Sequence, residues 1–295
     1  VRASIPGVVD IDVVRGAHAT REPPDLVIEI PHGATETIDY TRFAAQLTSR
    51  LPANLVDFFH VNTDIGAPEL ATSIAAQLVL VEPTRVVAIL RSRIPRTFID
   101  CNRRIDAAPA DFKAGKLTPG LMPWVTTEGD KGLLRGAYDC YHQAVRDALS
   151  PDSAILMLHS YAPRDVGVEV DLDIVTSLRR AYLPEIEPTW PLRPELDVIS
   201  RALDGTNYAP PSVVEVLRAA LAADGITVGD GATYPLHPST VGWDHVMARP
   251  GRALCVEVRR DLLADPFEPF AQMRIGAAKI ARLTGPFVSA LRRWW

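Results

Sequence analysis

Two of the seven histidines directly follow short apolar runs. Leu26–Ile30 leads into Pro31-His32-Gly33, and Ala154–Leu158 leads into His159-Ser160. Ligands of open α/β sheets bind at the carboxyl ends of strands, where both imidazoles would then sit. A carboxylate, Asp64, lies between them in the chain at a predicted helix start. Two imidazoles and one carboxylate are a common donor set for a catalytic zinc with an open position for water. Such a metal lowers the water's pKa from ~15.7 to about 7. Glu257 interrupts the apolar stretch Cys255-Val256-Glu257-Val258. It either occupies the solvated side of a strand or serves as the base that takes the water's proton. Between Arg91 and Arg104 five arginines surround one acid, Asp100. This is either a basic surface loop or an anion pocket, because guanidinium forks match carboxylates and Asp100 could orient one of them.

The elements that must position these groups alternate between strands and helices. Leu26–Ile30, Leu78–Val81, Val86–Leu90, Ala154–Leu158 and Leu254–Val258 read as short strands. Helical segments are expected at residues 41–51, from an Asp64 N-cap onward, over Leu133–Leu149 and over Val213–Ala222. The stretch from Pro266 to Trp295 reads as helix broken at Gly285-Pro286. Residues 1–25 read as an irregular lead-in and 104–130 as an extended loop, while 183–211 are proline-rich and carry no clear pattern. The expected architecture is a single α/β domain over residues 1–295, with a mixed, mostly parallel central sheet flanked by helices.

Composition narrows the function. A formal charge of −5 gives no global attraction to nucleic acid or anionic lipid, and no run holds the ~20 uninterrupted apolar residues of a membrane span. The opening residues lack the charged-then-apolar pattern of a secretory signal. Cys101, Cys140 and Cys255 do not have the spacing of a disulfide framework, so a reducing cytoplasm is expected.

Taken in order, several segments resemble the N-formylglutamate amidohydrolase family. They are Ile30-Pro31-His32-Gly33, Thr63-Asp64-Ile65-Gly66-Ala67, Arg96-Thr97-Phe98-Ile99-Asp100-Cys101-Asn102-Arg103, Tyr141-His142, Leu158-His159-Ser160 and Glu257-Val258-Arg259-Arg260. The resemblance implies a fold like that of zinc carboxypeptidases and aspartoacylases. It also implies one Zn2+, or another divalent ion, held by His32, Asp64 and His159. Glu257 is then the base, and Arg96 polarises the scissile carbonyl or binds substrate. Asn102 and Arg103 become the carboxylate clamp, with Asp100 bracing the arginines. Glu36, four residues after His32, is a second candidate for the acidic ligand, and Asp64 is preferred. The expected substrate is a small N-acyl amino acid such as N-formyl-L-glutamate, with no nucleic acid or membrane partner. A carboxypeptidase-like peptidase and a non-catalytic carboxylate-binding protein are the alternatives. Ser160 lacks the turn motif that exposes a nucleophile. Residues 230–245 do not match the family's glycine-rich stretch. Within them Tyr234, His237 and His245 are candidate substrate contacts, whereas His142 is expected to be structural.

Overall fold

Apolar runs too short for helices form the centre of a seven-stranded sheet in the computed structural model, which describes residues 2–114 and 117–295. In chain order the strands are β1 (Val9–Arg15), β2 (Leu26–Ile30), β3 (Val86–Ser92), β4 (Ala154–Tyr161), β5 (Leu196–Val198), β6 (Val228–Asp230) and β7 (Ala253–Arg259). Their spatial order is β1-β3-β2-β4-β7-β5-β6. The pairs β2/β3, β2/β4, β4/β7 and β5/β6 are parallel, and β1/β3 and β5/β7 are antiparallel, so the sheet is mixed and mostly parallel as expected. Every residue of β2 and β4 is buried. A parallel sheet covered on both faces produces such predominantly apolar strands. Ala264–Asp265 and Arg274–Ile275, β8 and β9, form a separate two-stranded ribbon.

The helices cover both faces. One core joins Leu156 and Leu158 of β4 to α3 (Ala67–Val81), α7 (Pro211–Ala223) and α9 (Ala277–Leu291). The other joins Ile155 and Met157 to residues of α1 (Thr37–Ala44), α2 (Val56–Asn62), α5 (Glu128–Ala148), α6 (Ile174–Ala181) and α8 (Val241–Ala248). Alternation along the strands sends neighbouring residues to opposite cores. On the second face, Ile155 and Met157 of β4 and Ala253 and Cys255 of β7 are apolar up to His159 and Glu257. The site therefore begins where this apolar surface ends.

Several local expectations are corrected. Residues 1–25 contain a strand, because Val9-Asp10-Ile11-Asp12-Val13 alternates and pairs as an edge against β3. Leu78–Val81 is not a strand but the last turn of α3, whose earlier apolar positions Leu70, Ile74 and Leu78 lie in the core. Its N-cap is Gly66, not Asp64. Gly66 has φ 84, and a Cβ there would come within 2.5 Å of Leu263 Cβ, so the turn requires glycine. The helix expected at 41–51 lies at α1 instead, and the 104–130 stretch contains α4 (Pro109–Ala114) and the start of α5. Pro286 lies inside α9 without ending it. Packing of Leu283, Phe287 and Leu291 into the core outweighs the lost backbone hydrogen bond.

Candidate metal centre and pocket

His32 follows β2 in a turn closed by Gly33 N donating to the Ile30 carbonyl at 3.2 Å. Its own carbonyl accepts from Asp64 N at 3.2 Å, which ties the segment before α3 to the end of β2. Because Gly66 caps α3, the Asp64 carboxylate is free of capping and points at the histidines. His159 lies near the end of β4. Three atoms converge: His32 Nδ1, His159 Nδ1 and Asp64 Oδ2. The two nitrogens are 3.2 Å apart, and Asp64 Oδ2 lies 2.9 Å from His159 and 3.3 Å from His32. Donors bound tetrahedrally to zinc at about 2.0–2.1 Å stand roughly 3.3 Å apart, so this donor set suits that ion in type and spacing. All three side chains are buried.

The surrounding charges reinforce the arrangement. Burial alone would raise the Asp64 carboxyl, but the adjoining His32 and His159 hold it well below the carboxylate range. Burial alone would lower His159, yet the Asp64 hydrogen bond and charge leave it raised. A metal would displace that proton. His32 Nε2 lies 2.7 Å from Asp100 Oδ1, a contact that fixes the ring so that Nδ1 faces the centre. Asp100 is fully buried, and its other oxygen accepts from Arg96 Nε at 2.8 Å and Thr118 Oγ1 at 3.1 Å. Burial pushes its carboxyl up, but Arg103, Arg96 and His32 together hold it far below the usual range. Asp100 thus contacts Arg96, Arg103 and the His32 ring.

Glu257 stands opposite His159 in the parallel β4/β7 register, and side chains at paired positions emerge on the same face. It is half-buried against the pocket, while its Oε2 is shielded and has no hydrogen-bond partner among the described residues. Burial pushes its carboxyl above the usual value; His159 pulls against this and Asp64 adds to it. The carboxylate as a whole lines the pocket beside the three converging donors, where it can accept from a water or a substrate.

His32, His159 and Glu257 line a cavity of about 180 Å³ that also receives Arg96, Asn102 and Arg103. Arg96 spends Nε on Asp100 and Nη2 on Thr118, leaving Nη1 without a partner among the described residues. Asn102 spans His159 Nε2 at 3.3 Å and Gly242 N at 3.2 Å. Arg103 is buried, and its guanidinium donates to the carbonyls of Thr118 and Asn102 and to Thr118 Oγ1. Glu36 is elsewhere, paired with Arg91 and Arg93 beside α1. Ser160 donates to the Ile65 carbonyl.

Of the other loop candidates, Tyr234 lines the cavity and accepts from Arg193 Nη2 at 2.9 Å. His237 bonds to Ser239. His245 pairs at 2.8 Å with Glu29, a buried β2 residue that also accepts from Tyr141. His142 packs on Tyr138 beside that group, in keeping with a structural role. Sequence reasoning did not single out Asp197, Arg193 or Arg260. Asp197 pairs with Glu257 across β5/β7 and accepts from Ala232 N and Thr233 N, which tethers the segment that presents Tyr234. Arg260 had a signal, since it ends the Glu257-to-Arg260 motif.

The chain matches the N-formylglutamate amidohydrolase family over residues 25–264, and it belongs to that family. Among solved structures, the N-formylglutamate amidohydrolase from Ralstonia eutropha JMP134 is similar in fold, with TM-score 0.57 and 18% identity over 96% of each chain. The gene product Atu2144 from Agrobacterium tumefaciens is similar at TM-score 0.52 and 16% identity, over 97% of this chain and 94% of that one. No curated protein matches by sequence.

Proposed function

We propose that the chain is a zinc-dependent amidohydrolase, a single catalytic domain that cleaves an N-acyl amino acid, with N-formyl-L-glutamate as the first substrate to test. The observation that carries the reading is the convergence of His32 Nδ1, Asp64 Oδ2 and His159 Nδ1 beside the unpartnered Oε2 of Glu257. Family membership supports the amide bond as the target. A divalent ion in this donor set, with zinc favoured by two imidazoles, supplies Lewis acidity for the carbonyl and an acidified water.

The chain's own residues do the rest. Glu257 takes the proton of the attacking water and returns it to the departing amine nitrogen. Its raised affinity for protons suits the return step. Arg96 offers Nη1 to the oxygen that becomes negative as the carbonyl carbon turns tetrahedral. Asp100 keeps that guanidinium and the His32 ring in place, and Asn102 does the same for His159. Arg103 spends three of its five N–H donors on neighbouring oxygens and Asn102 spends its amide on His159 and Gly242, which leaves each fewer donors for a substrate carboxylate. Apolar wall residues such as Phe58, Val61, Val166 and Val168 leave space for an acyl group larger than formyl.

The test is protein purified after zinc-replete expression, assayed for metal content and for release of glutamate from N-formyl-L-glutamate and its acetyl and longer-chain analogues. One zinc per chain with turnover of at least one of these substrates is expected. Hydrolysis of dipeptides but of no N-acyl amino acid would replace the reading with a peptidase; stoichiometric binding without turnover would reduce it to a carboxylate-binding protein.

A further inference from the structure

Two arginines lining the cavity are fully buried, Arg103 and Arg260. Arg103 is balanced by the Asp100 carboxylate 3.5 Å away and spends three donors on neighbouring oxygens. Arg260 is not balanced. It is 2% exposed, in the turn after β7 and three residues beyond Glu257. Nη1 donates to the His60 carbonyl at 3.2 Å. Nε is wholly shielded, and neither it nor Nη2 finds a partner among the described residues. Burial lowers the Arg260 pKa to about 10, so the guanidinium is still charged at neutral pH. The acids whose charge it feels, Asp64 and Glu257, belong to the centre already described. Burying a charge without a paired acid is costly, and such a charge is retained where a ligand supplies the counter-charge.

We infer that Arg260 is the anion-binding residue of the pocket, receiving a carboxylate of the substrate on Nη2, the terminal nitrogen left without a partner among the described residues. A guanidinium N–H donating to a carboxylate is a charge-assisted hydrogen bond, stronger than a neutral one. The apolar residues Phe58, Val61 and Tyr182 that share the cavity lower the local dielectric and strengthen the contact. The identity of the anion as a substrate carboxylate rests on the amidohydrolase reading; the unbalanced cation does not.

The experiment uses the full, zinc-loaded chain and the variants Arg260→Gln and Arg260→Lys. Steady-state kinetics are measured on N-formyl-L-glutamate, on N-formyl-L-glutamine and on N-formyl-L-isoglutamine, which replace one carboxylate each. Glutarate binding is followed by calorimetry, independently of turnover. For N-formyl-L-glutamate, Arg260→Gln should raise KM on the order of 100-fold while kcat changes by less than about threefold. The penalty should vanish for whichever amide lacks the carboxylate seated on Arg260, and glutarate should weaken in parallel. An equal loss on all three substrates, or no loss, would overturn the assignment. If Gln prevents folding, Lys keeps the charge without the planar fork and must show the same selective loss. If the wild type turns over none of the substrates, the amidohydrolase reading fails while glutarate still decides: binding that Arg260→Gln abolishes supports the assignment, and no wild-type binding, or binding the variant retains, refutes it.

Discussion

Glu257→Gln separates chemistry from folding more sharply than any other single change. Gln keeps the shape of the side chain and its place opposite His159, but it cannot accept the proton of the attacking water. General-base catalysis contributes about 10²–10⁴ in rate, so the variant should lose that factor in kcat, equivalent to about 2.7–5.4 kcal/mol of barrier. The expected effect on stability is of the opposite kind. Burial first, with the Asp64 charge adding to it, raises the folded pKa of Glu257 above its unfolded value. In the metal-free protein its ionisation therefore opposes folding, a cost that sets in as pH rises through those two values. A neutral Gln removes that cost, so the melting temperature of the apo-protein at pH 7 should stay level or rise, by no more than a few degrees. Zinc content should not change, because Glu257 is not one of the three converging donors. The measurements are formate release at saturating substrate, metal analysis and thermal denaturation on one preparation. Turnover within about threefold of wild type would refute the role of Glu257. A loss of activity accompanied by a lost metal or a lowered melting point would refute the reasoning that separates base from ligands.

Removing zinc by chelation should lower the melting temperature. At free zinc 1,000 times its Kd the bound ion adds about 4 kcal/mol, and His159→Ala should make the melting temperature indifferent to added zinc. Asp100→Asn should cost about 10–100-fold in zinc affinity by competition titration, because it weakens the orientation of His32 and unbalances Arg96 and Arg103; unchanged affinity would show that His32 needs no such partner. Burial works to raise the Glu29 carboxyl, but the charge and hydrogen bond of His245 hold it below the ordinary value. Its stabilising contribution is therefore full above the unfolded pKa of about 4.3 and fades as pH falls through the lower folded value. Stability curves from pH 7 down to 3 should converge for wild type and Glu29→Gln, the variant being weaker at pH 7.

The legible parts of the molecule were those written into consecutive residues. β2 is legible with its observed boundaries, because a strand buried on both faces is apolar at nearly every position, Glu29 being the one buried charge. The positions of His32 and His159 followed from where such runs stop. α5 was visible through the spacing of Leu134, Tyr138, Tyr141 and Val145, all buried in the structure. The end of α3 misled because Leu78-Val79-Leu80-Val81 is apolar without a period, although Leu80 and Val81 are exposed. β5 and β6 are three residues each, too short for any pattern to register. The Asp64 cap was a sound local inference that a left-handed glycine two residues on overrides. Which arginines are balanced and which are not depends on tertiary neighbours: Arg103 and Arg260 differ in nothing that the sequence displays. The preference for Asp64 over Glu36 comes from the resemblance; the backbone contact that draws Asp64 to His32, and the pairing of Glu36 with Arg91, are tertiary features no local pattern displays.

The β4/β7 register has a practical consequence for how this scaffold could diversify. His159 and Glu257 occupy facing rungs of adjacent parallel strands, so the separation of their backbones is locked by the ladder spacing of about 4.8 Å. Segments 162–173 and 231–240, which contribute Val166, Val168 and Tyr234 to the cavity, lie outside the seven strands. Exchanging those two segments between relatives should therefore trade one acyl preference for another while the hydrolytic machinery stays intact.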